Sequence, residues 1–156
     1  MKKINFQKIA KNVIDEETLA IKKLKKSINY SFDKAVLKIL NRKKGKVIFS
    51  GTGKSGAAGA ILSSTFSSVG IPSFFIDAND AGHGSLGCIE KNDILILISY
   101  SGETPELKTI INYSRRRKIT LIGIVSKKNS TLYKSSDIKL LIENSNLPVL
   151  FTNLFP

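Results

Sequence analysis

The chain has 156 residues, 42% of them hydrophobic, and 25 Lys and Arg against 12 Asp and Glu, a formal charge of +13. That length buries a core without covalent staples; a lone Cys88 and a lone His83 exclude an internal disulfide and a Cys/His metal cluster. No apolar run reaches the roughly 18 to 20 residues of a membrane span, and Met1 to Gln7 lack a secretion-signal pattern, so the chain is expected in the cytoplasm with no membrane partner.

Apolar residues at helical spacing from Phe6 to Ile28 predict an amphipathic helix. A second follows Asn29-Tyr30-Ser31, with Phe32, Ala35, Val36, Ile39 and Leu40 on one stripe and a stop at Lys43-Lys44-Gly45. From Lys46 the pattern changes to short apolar runs: Val47 to Phe49, Ser73 to Ile76, Ile94 to Ile98, Thr120 to Val125 and Ile138 to Ile142. Such runs are strands buried on both faces. Helices are expected between them, at about Ser55 to Val69, Thr104 to Arg117 and Ser130 to Lys134. Right-handed crossovers then give an α/β fold, a three-layer doubly wound sheet of five parallel strands in flavodoxin-like order, preceded by two helices. One domain is expected overall: helices over 1–45, the core over 46–143 and an atypical tail over 144–156.

In such a sheet a ligand lies beyond the carboxyl ends of the strands, where three loops stand out. In Ser50-Gly51-Thr52-Gly53-Lys54-Ser55-Gly56 the glycines let backbone amides approach an anion at a helix amino terminus, which makes phosphate the natural guest. The nucleotide P-loop does not fit, because its first glycine would fall on Ile48 inside the strand. Gly51, Gly53 and Gly56 come near the dinucleotide pattern, with only Asp77 as an ambiguous ribose ligand; a tight turn without a ligand is the plainer alternative. Ser99-Tyr100-Ser101-Gly102-Glu103-Thr104-Pro105-Glu106 offers three hydroxyls around a glycine at another helix start. Equally, Ser101 or Thr104 is a helix cap there, with Glu103 or Glu106 favouring the dipole. His83 lies among small residues in Asp80 to Gly87, a loop and not an apolar face.

Four segments in this order, Ser50 to Gly56, Pro72-Ser73-Phe74-Phe75, Ala81-Gly82-His83-Gly84-Ser85-Leu86-Gly87 and Ile98 to Thr104, resemble the SIS (sugar isomerase) domain of bacterial D-arabinose 5-phosphate isomerases. The resemblance runs from about Phe6 to Ile142, and the His83 loop separates this subgroup from hexulose-phosphate isomerases and from glucosamine-phosphate synthase domains. It implies interconversion of D-arabinose 5-phosphate and D-ribulose 5-phosphate, a step towards the Kdo sugar of lipopolysaccharide, with neither cofactor nor metal. It also implies that Gly53, Ser55, Ser99, Ser101 and Thr104 hold the sugar phosphate. Lys54, His83 and Glu106 match positions implicated in catalysis: His83 in acid/base work at the carbonyl end, Glu106 as proton shuttle, Lys54 stabilising the enediolate. A homo-oligomer, dimer or tetramer, is implied as well.

Relatives continue beyond the fifth strand with a Thr-rich loop, a helix carrying a second functional His and usually paired CBS modules. This sequence instead has an apolar tail with Leu150, Phe151, Leu154 and Phe155, and then stops. A noncatalytic sugar-phosphate-binding domain, or a truncated remnant with impaired chemistry, is therefore the competing expectation. The cationic runs Lys22-Lys23, Lys25-Lys26, Arg42-Lys43-Lys44, Arg115 to Lys118 and Lys127-Lys128 are scattered, without interleaved aromatics, and read as solvated faces and not as a nucleic-acid surface.

Overall fold

Helix α1, Phe6–Leu24, starts where the Asn5 side-chain oxygen accepts the Lys8 amide at 3.0 Å, satisfying one of the donors that a helix start leaves unpaired. The structure, a computed structural model, describes residues 5–142. The apolar tail expected beyond Ile142 lies outside the described residues. The helix expected to reach Ile28 ends at Leu24 and tightens into a 3-10 turn over Lys25–Ser27. There the Ser27 hydroxyl donates to the Leu24 carbonyl at 2.8 Å, taking an acceptor the helix would otherwise have used. This segment belongs to one compact unit, and Asn29–Leu141 form another.

The second unit opens with α2, Tyr30–Leu40, capped by Asn29, whose side chain accepts the Ser31 amide at 2.8 Å. Then come β1 (Val47–Gly51), α3 (Gly53–Ser68), β2 (Ser73–Asp77), 3-10 turns at Ala81–His83 and Ser85–Cys88, and β3 (Ile94–Ser99). They are followed by α4 (Leu107–Arg117), β4 (Thr120–Val125), α5 (Thr131–Ser135) and β5 (Ile138–Leu141). All strands pair in parallel in the order β2-β1-β3-β4-β5, the doubly wound arrangement expected from the alternating pattern.

Alternation along the strands divides the core into two layers. Ile48, Leu95, Leu97 and Leu121 face Leu107, Ile110 and Ile111 of α4, Leu132 of α5 and the turn residues Ala81 and Leu86. Val47, Phe49, Ile94, Ile96 and Ile122 face α2, through Ala35 and Ile39, and α3, through Leu62 and Phe66. Phe49 meets Phe66 edge to face at 5.2 Å. Ile48, Leu95, Leu97, Leu121 and Ile122 are at most 1% exposed, and each such side chain contributes about 1.5–3 kcal/mol of burial. Strand β1 is buried throughout, whereas the edge strand β5 is half-buried throughout. α3 comes close to the sheet because Gly56 and Gly59 face Phe75 of β2 with no side chain between.

Parallel pairing places the ends of neighbouring strands side by side: Gly51 beside Asp77, and Ser99 beside Val125. The three loops singled out by the sequence therefore leave the sheet at one edge.

Candidate functional site

The loop after β1 turns directly into α3. Thr52 is extended and Gly53 has φ +54, a left-handed conformation that glycine adopts without steric cost. The first intrahelical bond runs from the Gly56 amide to the Thr52 carbonyl at 3.1 Å. The amides of Gly53, Lys54 and Ser55 precede it and supply the positive end of the helix dipole. The helix thus begins two residues before the expected Ser55, because Gly53 makes the turn. A Cβ on Gly51 would lie 2.9 Å from the Ile98 carbonyl oxygen, so the position that lets this loop pass β3 is closed to larger residues. Lys54 is exposed and Ser55 half-buried in the first turn.

The loop after β3 is held by its own hydroxyls. Ser99, 3% exposed, accepts the Gly102 amide at 3.0 Å and shares a 2.7 Å hydrogen bond with Thr104. Ser101 accepts the Glu103 amide at 3.2 Å. Neither Ser101 nor Thr104 caps α4 through its side chain: the helix begins only at Leu107, whose amide bonds the Thr104 carbonyl at 3.2 Å. Thr104-Pro105-Glu106 form a lead-in turn instead, with Pro105 preceding the helix proper. Glu106 occupies the cap position, exposed, with no capping bond from its side chain.

Glu103 does not serve the α4 dipole. Its carboxylate accepts the Thr131 amide and the Thr131 hydroxyl, both at 2.7 Å, at the start of α5. These bonds hold the Glu103 carboxyl below the usual glutamate range. Two more links join the same loops: the Leu132 amide donates to the Gly102 carbonyl at 3.0 Å, and the Ser126 hydroxyl donates to the Tyr100 carbonyl at 2.6 Å. Gly102 has φ +67, and a Cβ on it would overlap the Ser130 hydroxyl. The β4–α5 loop therefore buttresses the hydroxyl loop. The sequence carried no signal for this pairing beyond the cap-like Ser130-Thr131, because its partners are 28 residues apart.

After β2, Asp77 accepts the Asn79 amide at 2.9 Å and its side-chain amide at 2.8 Å, and the Ala78 amide reaches the Gly51 carbonyl at 3.4 Å. Ala81 and Leu86 anchor the following turns in the core at 1% and 9% exposure, leaving His83 exposed on the crest between them. Gly84, at φ +112, makes the turn that follows it.

Lys54 in the first turn of α3, His83 in the 3-10 turn after β2 and Glu106 at the cap of α4 thus follow β1, β2 and β3, neighbouring strands spaced about 4.8 Å apart. Among the described residues no ion pair or hydrogen bond joins these three. Of the residues expected from the sequence to hold a phosphate, Ser99 and Thr104 touch directly, while Gly53 and Ser55 sit at the start of α3. What this edge offers is the amide-rich start of α3, the hydroxyls of the loop after β3 and the exposed side chains of Lys54, His83 and Glu106.

Residues 39–153 match a protein family described as SIS domain. Arabinose 5-phosphate isomerase KdsD of Yersinia pestis is 41% identical over 139 residues, covering 89% of this chain and 42% of that protein. Uncharacterized protein RP505 of Rickettsia prowazekii is 41% identical over 138 residues, covering 88% and 43% respectively. The chain accordingly spans less than half the length of these curated relatives. Among solved structures, E. coli CFT073 c3406 in complex with arabinose 5-phosphate matches with a TM-score of 0.85 at 33% identity, over 92% of this chain and 76% of that one.

Proposed function

Because this chain belongs to the SIS-domain family, we propose that it is the sugar-phosphate domain of an aldose–ketose isomerase that interconverts D-arabinose 5-phosphate and D-ribulose 5-phosphate. The observation that carries the reading is the hydroxyl loop, in which Ser99 holds Thr104 at 2.7 Å beside the half-buried Ser101. The likeness to a structure containing arabinose 5-phosphate supports it, as does the identity to KdsD. Ser101, Thr104, Ser55 and the Gly53 amide take the phosphate; buried Ser99 contributes by setting Thr104. A dianion suits this edge because the α3 entrance presents the Gly53, Lys54 and Ser55 amides at the positive end of its helix, and the loop after β3 adds hydroxyls.

The reaction moves one proton between C2 and C1 of the open-chain sugar through an enediol, while the oxygen-bound proton changes places. One carbon is oxidised as its neighbour is reduced, so no external electron acceptor enters the balance. The requirements are a base at the carbon, a proton donor at the carbonyl oxygen and charge stabilisation of the enediolate. Glu106 takes the first role, His83 the second and Lys54 the third, each exposed and each following a strand at its carboxyl end.

The test is calorimetric titration with D-arabinose 5-phosphate beside an isomerase assay, on the parent chain and on His83→Gln. Saturable binding is expected, with turnover falling on the order of 10²- to 10⁴-fold in the variant. Binding without turnover in the parent would move the assignment to a noncatalytic sugar-phosphate-binding domain. No affinity for the sugar phosphate in folded protein would defeat both.

A further inference from the structure

The opposite edge of the sheet, at the amino ends of the strands, carries different chemistry. An open cleft of about 480 Å³ there is lined by five cations: Lys38 of α2, Arg42, Lys43 and Lys44 of the α2–β1 loop, and Lys91 of the segment leading into β3. Its one acidic residue, Asp93, is 1% exposed and already engaged. It accepts the Lys46 amide at 2.7 Å and the Glu90 amide at 2.8 Å, with the Lys46 ammonium 3.5 Å away. The cleft wall thus holds a cationic excess that its own acid does not offset.

Helix dipoles account for only part of that excess. Lys38 lies in the last turn of α2, where a cation favours the carboxyl-terminal end of a helix. Lys43, Lys44 and Lys91 belong to no helix, and crowding like charges around one concavity is unfavourable unless an anion relieves it.

The segments that bear these lysines are braced together. The Ile94 amide donates to the Lys46 carbonyl at 2.9 Å, beside the Asp93 bonds. Gly45, at φ +104, passes so close to the Asn92 carbonyl that a Cβ there would overlap its oxygen. The backbone that carries these cations is braced before a ligand arrives, so binding has only their side chains to order. An adjoining cleft of about 540 Å³ shares Lys38 and Thr120 and adds Arg115, Lys118 and Asp137, whose carboxylate accepts the Leu121 amide at 2.8 Å. Among the described residues neither wall contains an aromatic side chain on which a base would stack. Both volumes fall within the range of small-molecule sites.

We propose that this basic cleft binds a small molecule bearing two or more linked phosphates, recognised through those phosphates, at the edge of the sheet opposite the hydroxyl cradle. The probe is inorganic tripolyphosphate, titrated calorimetrically into the full chain at about 0.15 M salt, where long-range surface attraction is screened. One saturable site is expected. Lys43→Ala/Lys91→Ala should weaken it at least about 10-fold by removing charge-assisted contacts. Lys22→Ala/Lys23→Ala, which removes equal charge from α1, should leave it unchanged. D-arabinose 5-phosphate affinity should be the same in both double variants, and Ser99→Ala should not alter tripolyphosphate binding. These arms separate failure of the cleft from failure of the cradle. Absence of saturable binding, equal loss in the α1 control, or loss in Ser99→Ala would overturn the proposal. So would a single-stranded oligothymidine that binds more tightly than tripolyphosphate through the same lysines, which would make the surface a nucleic-acid track.

Discussion

The two edges of this sheet are made by the same five strands, yet their chemistry differs. At the carboxyl ends β1 runs into the start of α3, which presents backbone amides, and the loop after β3 adds short hydroxyls. At the amino ends the helices finish, and their carboxyl termini present carbonyls and partial negative charge. Any affinity for anions there has to come from side-chain cations, and Lys38, Arg42, Lys43, Lys44 and Lys91 supply them. Both edges are fastened by contacts distant in sequence: the hydroxyl loop by Glu103 to Thr131, 28 residues away, and the cleft by Asp93 to Lys46, 47 residues away.

Gly45→Ala should break the contrast most severely. Its Cβ would meet backbone, which has no rotamer to yield, at a φ that an L-residue adopts only under strain. A loss of about 3 kcal/mol or more is expected in denaturant unfolding, with tripolyphosphate affinity falling in the fraction still folded. A neutral result would show that the brace is not rigid. Gly102→Ala makes the same change at the other edge, where its Cβ meets the Ser130 hydroxyl, which rotation moves, and the Ser130 Cβ at 2.5 Å, which it does not. About 1–3 kcal/mol is expected, with D-arabinose 5-phosphate binding impaired and tripolyphosphate binding intact.

Ser99→Ala sharpens the comparison further. It leaves the buried Gly102 amide and the Thr104 hydroxyl without the oxygen they share, at about 1–2 kcal/mol. Sugar-phosphate affinity should drop about 10-fold for a similar loss of binding energy, read by calorimetry against an unchanged cleft.

The smallest expected effect is in pH. The Glu103 carboxyl is lowered by its bonds to the Thr131 side chain and amide. Its contribution is therefore present above the ordinary glutamate value and lost as pH falls through the lowered one. Lys46 behaves in the opposite sense. Burial works against its charge, but Asp93 and then Glu90 outweigh burial and raise its pKa above 10.5. Its contribution is complete below 10.5 and lost as pH rises through the raised value. Melting temperature against pH should lose part of its acid limb in Glu103→Gln and part of its alkaline limb in Lys46→Met. The same limb changing in both variants would contradict the separation of the two edges.

Much of this molecule was legible along the chain. The five apolar runs, the Gly53 turn and the placing of His83 on a loop depend on neighbours within a few residues, and periodicity and turn chemistry record such local facts. The strand order followed from the alternation of strands and helices, because right-handed crossovers leave few ways to wind the sheet. Tertiary structure decided the rest. Thr104 looked like a cap for α4, but Ser99 takes its hydroxyl and the helix waits until Leu107. Glu103 looked like a dipole partner of its own helix, but packing of α5 brings Thr131 within 2.7 Å. The Arg42-Lys43-Lys44 run looked like a solvated face, and only the approach of the Lys91 segment makes it one side of a cleft. A sequence reports which residues are charged or apolar; which of them become neighbours depends on how separate elements pack, and that distance is not written in their spacing.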